Sequence, residues 1–535
     1  MNRIQAAPSP APARGEPTEA FPLRVASVDV GSNAIRFVAA EFTGRSERTV
    51  LHEERVPVRL GQDVFLTGAL AEAAMDAAVK ALAGFRKRME KLEVGHYRAT
   101  ATSAVRESRN GGELVRRVRE EAGLELEVIT GYEEARLVYQ AIRSRMELGT
   151  DRWILVDLGG GSVEVSLVDA GGILWSESHT MGSVRLLEVL SGSGDDPGRF
   201  QRLLREYAAT LQIPTAAQHL RPAGVIATGG NIEALAKLGG RPPRGRRPGD
   251  IGMDELRETI RMLAGLSYRQ RMEELGLRRD RADVILPAAM VYERVAELAG
   301  ADRIHVPGVG VREGLLLDLV EDLTTHPEWE DRRERTVVEG AVAMGRRYLF
   351  DEAHGVHVAR LARSLFDQLR DLHGLDPADR RILLAAAVLH DVGAYVSHKR
   401  HHKHSLYLIS QSELPGFAPG EIWMVANVAR YHRKGEPTTD HDSFERLNAD
   451  ERQRVVKLSA LMRVADALDR EHLQAVESVT AQVRKREVVL EVESSGDLLL
   501  ERWALEQKAG LFEKTFDREV RLAGGAPDGG VPTSG

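Results

Sequence analysis

Val156-Asp157-Leu158-Gly159-Gly160-Gly161-Ser162 runs straight into Val163-Glu164-Val165-Ser166-Leu167-Val168. The first apolar stretch predicts a strand ending on an acid and a tight Gly/Ser turn, and the second predicts the strand returning from it. Glycines there permit positive φ and let backbone N–H groups approach a ligand. The arrangement also occurs earlier, where Val28-Asp29-Val30-Gly31-Ser32-Asn33 precedes Ile35-Arg36-Phe37-Val38. Either copy alone reads equally well as an ordinary hairpin. The pair predicts two related subdomains facing each other, each with a phosphate-binding turn. The acids before the turns, Asp29 and Asp157, suit a hard cation such as Mg2+, held directly or through water.

Outward from these turns, short apolar strands alternate with amphipathic helices from Leu23 to about Leu323, an α/β pattern. Strands are predicted over 24–30, 35–42, 96–102, 125–130, 153–157, 163–168, 224–228 and 303–306. The Gly/Pro/Arg-rich stretch 239–249 reads as a loop or small flap, and the charged stretch 324–335 as a linker. From Glu339 to about Arg470 the pattern is helical, followed by a strand pair near 476–483 and 487–493 and a last helix near 496–510. Residues 1–22, rich in Pro and Ala, and 524–535, rich in Gly and Pro, read as disordered tails.

The 535 residues are enough for about three domains, and 43% hydrophobic with 29% charged residues is the balance of a soluble globular chain. The net charge of −7 argues against a general nucleic-acid or membrane-surface binder, so a polyanion must be met by a local basic patch. Cysteine is absent, which excludes disulfides, thiolate zinc sites, iron–sulfur clusters and cysteine nucleophiles. Any metal must rest on His, Asp, Glu or other oxygen ligands. No apolar run approaches the length of about 18 residues that a membrane span needs. A cytoplasmic location is the default expectation.

More segments join the two turns. Thr100-Ala101-Thr102-Ser103-Ala104-Val105-Arg106-Glu107 leaves a strand with hydroxyls and an arginine, and Gly131-Tyr132-Glu133-Glu134-Ala135-Arg136 opens a helix. Ala227-Thr228-Gly229-Gly230-Asn231 and Val309-Gly310-Val311-Arg312-Glu313-Gly314 are further strand-to-helix turns. Each alone is an unremarked loop. Together they gather glycine turns at strand ends, where open α/β folds place ligands.

In order, VDVGSNAIRF, ATSAVRES, TGYEEARLVY, LVDLGGGSVEV, HTMGSVRL, IATGGN and GVREG resemble the exopolyphosphatase/guanosine pentaphosphate phosphohydrolase (Ppx/GppA) family over residues 23 to about 323. The resemblance implies two actin-like, ribonuclease H-like lobes: lobe I over 23–131, completed by about 311–323, and lobe II over 132–310. A helical domain would occupy 336–523. The implied activity is removal of the terminal phosphate of inorganic polyphosphate, of guanosine pentaphosphate (pppGpp), or of both, with Mg2+ or Mn2+. The implied catalytic base is Glu134, with phosphate and metal residues at Asp157, Gly159 and Glu164 in the second turn and Asp29, Ser32 and Asn33 in the first. Arg106 and backbone N–H groups along Gly159, Gly160, Gly161 and Ser162 would hold the terminal phosphate. The sequence departs from the family pattern at Ala34, Val163 and Asn231, none of them an acidic position.

Histidine is concentrated late in the chain. The order His357, His390-Asp391, Asp466 resembles the HD phosphohydrolase domain, which implies a second divalent metal; His404 and His432 would complete a two-metal site. The same region carries a dense cationic run, Lys399, Arg400, His401, His402, Lys403 and His404, with Arg433 and Lys434 nearby. This run predicts a track for a polyphosphate chain, though a solvated loop has the same composition. Arg241, Arg244, Arg246 and Arg247 form a second basic cluster. The leading expectation is an exopolyphosphatase. Alternatives are a pppGpp phosphohydrolase, a non-catalytic nucleotide or polyphosphate sensor, and a kinase or ATPase of the same superfold, with ADP-dependent phosphotransfer also open. Expected partners are polyphosphate or pppGpp and, from the resemblance, a second copy of the chain, with neither nucleic acid nor membrane.

Overall fold

The computed structural model describes residues 9–10 and 21–523, apart from 46, 63, 192–196, 214–221, 246, 325–327, 413, 415–416, 418 and 434. The expected tails thus lie outside the described residues, except Ser9–Pro10, which pairs beside His96–Tyr97, and residues 21–22. Arg246 and Lys434 also lie outside them. The chain forms two compact units, Met1–Trp329 and Glu330–Gly535.

The first unit contains two sheets built on one plan. In the first, β1 (Leu23–Val30), β2 (Ile35–Phe42) and β3 (Arg48–Val56) form an antiparallel meander. Helix α1 (Glu72–Lys91) then returns the chain to β4 (His96–Ala101), which lies parallel to β1. After α2 (Ser103–Glu107), the short β5 (Glu127–Val128) and α3 (Gly131–Arg143), the second sheet repeats the plan. There β6 (Trp153–Leu158), β7 (Val163–Asp169) and β8 (Gly172–His179) form the meander, and α4 (Ser183–Ser191) starts the return to β9 (Val225–Thr228), parallel to β6. Helix α5 (Gly230–Gly239), β10 (Gly249–Gly252), α6 (Ile285–Ala299) and β11 (Arg303–Val306) complete this half.

The hairpins repeat in register. Gly31 N donates to Ala34 O at 3.2 Å in the first turn, and Gly159 N donates to Ser162 O at 3.0 Å in the second. Both ladders run to the turn, so Asp29 stands opposite Arg36, and Asp157 opposite Glu164. Helix α7 (Val311–Thr324) packs Leu316, Leu319, Val320 and Leu323 onto the first sheet. It crosses α3 so closely that a Cβ on Gly314 would lie 2.1 Å from the Leu137 carbonyl oxygen, which explains the second glycine of GVREG.

The sequence reading missed β3, β8 and β10, and the strand expected over 125–130 is confined to Glu127–Val128. The 239–249 stretch is partly ordered by β-bridges between Arg241 and Asp250 and between Arg244 and Arg247. The expected linker 324–335 is largely helical, because α8 spans Glu328–Arg347 and its Glu334 pairs with Arg380 and Arg363.

The second unit is a helical bundle: α9 (Glu352–Gln368), α10 (Pro377–Leu389), α11 (His401–Ser410), α12 (Pro419–Arg430) and α13 (Ala449–Ala467) around an aliphatic core. It ends in β12 (Val476–Val483), β13 (Glu487–Ser494), α14 (Leu499–Lys508), α15 (Gly510–Phe516) and β14 (Glu519–Ala523). The last strand, which the sequence reading missed, adds to β13 in parallel. Among the described residues no helix is long and apolar enough to cross a membrane.

Candidate active site

The two hairpin turns meet face to face. A Cβ on Gly160 would lie 2.8 Å from Ser32 Cβ, and one on Gly161 would lie 2.5 Å from Ser103 Oγ. Only glycine lets the second turn close on the first sheet's residues. Ser32 Oγ and Ser103 Oγ are hydrogen-bonded at 3.0 Å, so the expected phosphate-binding hydroxyl of Ser32 stands in this cleft beside a second one. Ser162 is also buried here.

Arg185, which the sequence reading left without a role, shapes the glycine turn. Its backbone N–H donates to Gly160 O at 3.0 Å and its Nε donates to Gly161 O at 2.7 Å. Its Nη2 pairs with Glu107 at 2.6 Å, tying the turn to the end of α2. The signal was the HTMGSVRL segment, whose Gly182 packs on the Gly160 and Gly161 backbone.

Three buried carboxylates converge beside the turn. Glu134, Asp157 and Glu164 each offer an oxygen within 4.8 Å of the others. Cross-strand pairing places Asp157 and Glu164 together. Glu134 comes from the first turn of α3, where Thr130 Oγ1 accepts from Glu133 N at 3.2 Å and caps the helix. Thr228 Oγ1 donates to Asp157 Oδ1 at 2.6 Å, Ser178 Oγ donates to Glu164 Oε1 at 2.9 Å, and Arg106 Nη1 donates to Glu134 Oε2 at 3.1 Å. The Glu164 Oε2 oxygen is buried without a hydrogen-bond partner.

Arg106 pairs with one of the three acids. Burial, then the Glu164 carboxylate, push Glu134 well above the usual carboxylate range despite Arg106. Burial and Asp157 push Glu164 up to about 7, and burial raises Asp157. Hard oxygen donors, unbalanced charge and an orphaned oxygen fit a divalent cation held by Asp157 and Glu164.

The neighbouring Glu133 is different. It pairs with Arg136 at 2.8 Å and with Arg98 at 3.2 Å, and both arginines also reach Asp318. These ion pairs join α3 to β4 and α7.

The first turn is not chemically equivalent to the second. Asp29 is neutralised by Arg36 at 3.0 Å and stands outside the three-ligand groups found among the described residues. Asn33, expected to bind phosphate, spends its amide on the facing lobe: Nδ2 donates to the Asp280 carbonyl oxygen at 2.9 Å. Arg55 pairs with Asp280 and Arg59 with Asp283 along the same seam. Behind it, the buried Arg281 donates to Asn231 Oδ1 at 3.2 Å. Burial and the nearby Arg278, Arg36 and Arg55 push Arg281 down to about 10. Nothing in the motifs singled this arginine out.

In the second unit the expected quartet changes. His390, Asp391 and Asp466 come together, but the fourth member is His354, not His357. His357 faces Arg360 at 3.0 Å. His432 joins the group as expected, while His401 takes the place expected for His404. That inward turn also interrupts the cationic run: Lys399, Arg400, Lys403 and Arg433 are exposed, whereas His402 and His404 are half-buried.

The comparisons with known proteins agree with this architecture. The sequence profile of the Ppx/GppA phosphatase family matches residues 38–323, and that of Ppx/GppA phosphatase domain III matches residues 333–510. An exopolyphosphatase from Cytophaga hutchinsonii is similar at 26% identity and a TM-score of 0.52, covering 56% of this chain and 98% of that one. A Ppx/GppA family member from Aquifex aeolicus aligns at 26% identity and a TM-score of 0.47, covering 56% of this chain and 97% of that one. With its paired hairpin turns, its carboxylate cluster and profile matches to both units, the chain belongs to the Ppx/GppA phosphatase family.

Proposed function

We propose that the protein is an exopolyphosphatase that releases orthophosphate from the ends of inorganic polyphosphate. The observation that carries the reading is the cluster of Glu134, Asp157 and Glu164, buried beside a glycine turn, with Arg106 paired to Glu134. The likeness to an exopolyphosphatase supports the choice of substrate.

In this reading the terminal phosphate rests on the backbone N–H groups of Gly159–Ser162, with Ser32 and Ser103 opposite and Arg106 at its side. Glu134 orients a water in line with the bridging oxygen and takes its proton. The water oxygen bonds to phosphorus, the phosphorus–bridging-oxygen bond breaks, and the chain leaves one phosphate shorter. The raised proton affinity of Glu134 suits a general base. Mg2+ held by Asp157 and Glu164 would offset the charge spread over the phosphate oxygens. Arg281 and its neighbours would receive the next phosphates of the chain.

The test is phosphate release from long polyphosphate, tripolyphosphate, pppGpp and ATP, each with Mg2+. Fastest release from long polyphosphate is the expected result. Release from pppGpp alone would transfer the activity to the guanosine substrate. No release from any of the four would overturn the hydrolase reading.

A further inference from the structure

Successive carbonyl groups of the second hairpin turn are all held by one segment, residues 182–185 at the start of α4. Gly159 O accepts from Ser183 N at 3.1 Å and from Ser183 Oγ at 3.3 Å. Gly160 O accepts from Val184 N at 2.9 Å and from Arg185 N at 3.0 Å. Gly161 O accepts from Gly182 N at 3.2 Å and from Arg185 Nε at 2.7 Å. These peptides are trans, and a trans peptide sends its N–H opposite to its C=O. The N–H groups of Gly160, Gly161 and Ser162 therefore point away from α4. Among the described residues no acceptor meets them. They are the donors that the reading above gives to the terminal phosphate.

Arg185 reaches further than the turn. Its Nη2 donates to Glu107 Oε2 at 2.6 Å, and its guanidinium carbon lies 4.0 Å from the centre of the Phe65 ring. Glu107 closes α2 and Phe65 lies between β3 and α1, both in the first sheet's half, whereas Arg185 belongs to the second. Phe65 also covers the turn, because a Cβ on Gly161 would lie 2.4 Å from its Cζ. The residue before Glu107 is Arg106, which pairs with Glu134 at 3.1 Å. One short helix thus presents Arg106 to the proposed base and Glu107 to the arginine that holds the donors.

A guanidinium suits this place because its donors lie in one planar fork. Nε and Nη2 serve a carbonyl of the turn and a carboxylate of the facing half at the same time. A lysine would bring a point charge without the fork. Without the Arg185 side chain, the Gly161–Ser162 peptide loses its charged donor and gains freedom to rotate next to glycine.

We propose that Arg185 is a positioning residue for the hydrolysis described above, an inference that rests on that reading: it keeps the N–H groups of Gly161 and Ser162 turned toward the phosphate and fixes their distance from Arg106 and Glu134. Arg185 acts through the turn and through Glu107, not on the substrate. Its loss misaligns donors aimed at charge that develops in the transition state, so turnover suffers more than KM.

The experiment measures kcat and KM for phosphate release from long polyphosphate with Mg2+, and the unfolding midpoint of each protein. Arg185→Ala should lower kcat by about 10²-fold with KM little changed. Arg185→Lys should recover little of it. Added methylguanidinium should restore part of the turnover of Arg185→Ala and none of that of Glu134→Gln. Glu107→Gln, which keeps an acceptor but not the charge, should lower kcat by a smaller factor. The double variant Arg185→Ala/Glu107→Gln should be no slower than Arg185→Ala, because Glu107 acts through Arg185. A raised KM with unchanged kcat in Arg185→Ala would overturn the proposal, as would full activity of Glu107→Gln. So would a fall in turnover that accompanies a lowered midpoint and that methylguanidinium leaves unrepaired. An active wild type matched by Arg185→Ala would overturn this proposal alone, whereas a wild type that releases no phosphate would overturn it together with the hydrolase reading.

Discussion

Asp157 on β6 stands directly across the ladder from Glu164 on β7, whereas the equivalent Asp29 on β1 stands across from Arg36 on β2. One register thus produces two different sites. In the first hairpin the acid is neutralised by its cross-strand arginine at 3.0 Å. In the second, two acids are forced together and Glu134 is added to them. Among the described residues the duplicated turns therefore carry a single carboxylate cluster, beside the second turn.

The cost of holding Glu164 beside Asp157 makes stability depend on pH and on cation. Burial and Asp157 push Glu164 up to about 7, above the value near 4.3 of an unfolded glutamate. A raised carboxyl contributes stability that is full below the unfolded value and lost as pH rises through the folded one. Chelated protein should lose thermal stability between about pH 5 and 8, and Mg2+ should restore more of it at the upper end. Glu164→Gln should flatten both trends. An equal Mg2+ effect at the two ends would count against this assignment.

Ser178 and Thr228 orient the two acids through their hydroxyls. Ser178→Ala and Thr228→Val should each raise the Mg2+ concentration for half-maximal activity by about 10–100-fold, with smaller changes in the rate at saturating Mg2+. A Mg2+ titration of phosphate release checks this, and unchanged titration curves would remove both residues from the metal's support.

Gly314 is required by packing, not by the ligand. Its Cβ position lies 2.1 Å from the backbone oxygen of Leu137, and neither helix carries a flexible side-chain atom that could yield there. Gly314→Ala should destabilise the first unit by about 1–3 kcal/mol through overpacking. Thermal unfolding should report the loss, while Gly310→Ala, which meets no atom within 4 Å, should be far milder.

Much of this was readable because the decisive residues are neighbours in sequence. The acid, the glycines and the flanking apolar runs of each hairpin announce the strands, the turn and the pairing of lobes. The difference between the hairpins was also written there, since Arg36 and Glu164 sit at the same spacing from their acids. It gains meaning only once the register is known. The strands that were missed lie at sheet edges, and two of them are rich in charge: β3 carries Arg48, Glu53, Glu54 and Arg55, and β14 carries Glu519 and Arg521. His354 and His357 share one helix three residues apart, and the choice between them is made by how α9 rotates where Gly355 meets α10. The use of Asn33 as an interlobe bond could not be read at all, because its partner Asp280 is distant in sequence.

The central claim is that Glu134 performs the proton transfer in a site built from Asp157, Glu164 and Arg106. The most direct measurement is phosphate release from long polyphosphate by the wild type and Glu134→Gln, with polyphosphate binding measured on the same preparations. The account predicts a fall in turnover of about 10²–10⁴-fold with binding retained. Turnover near that of the wild type in Glu134→Gln would contradict it.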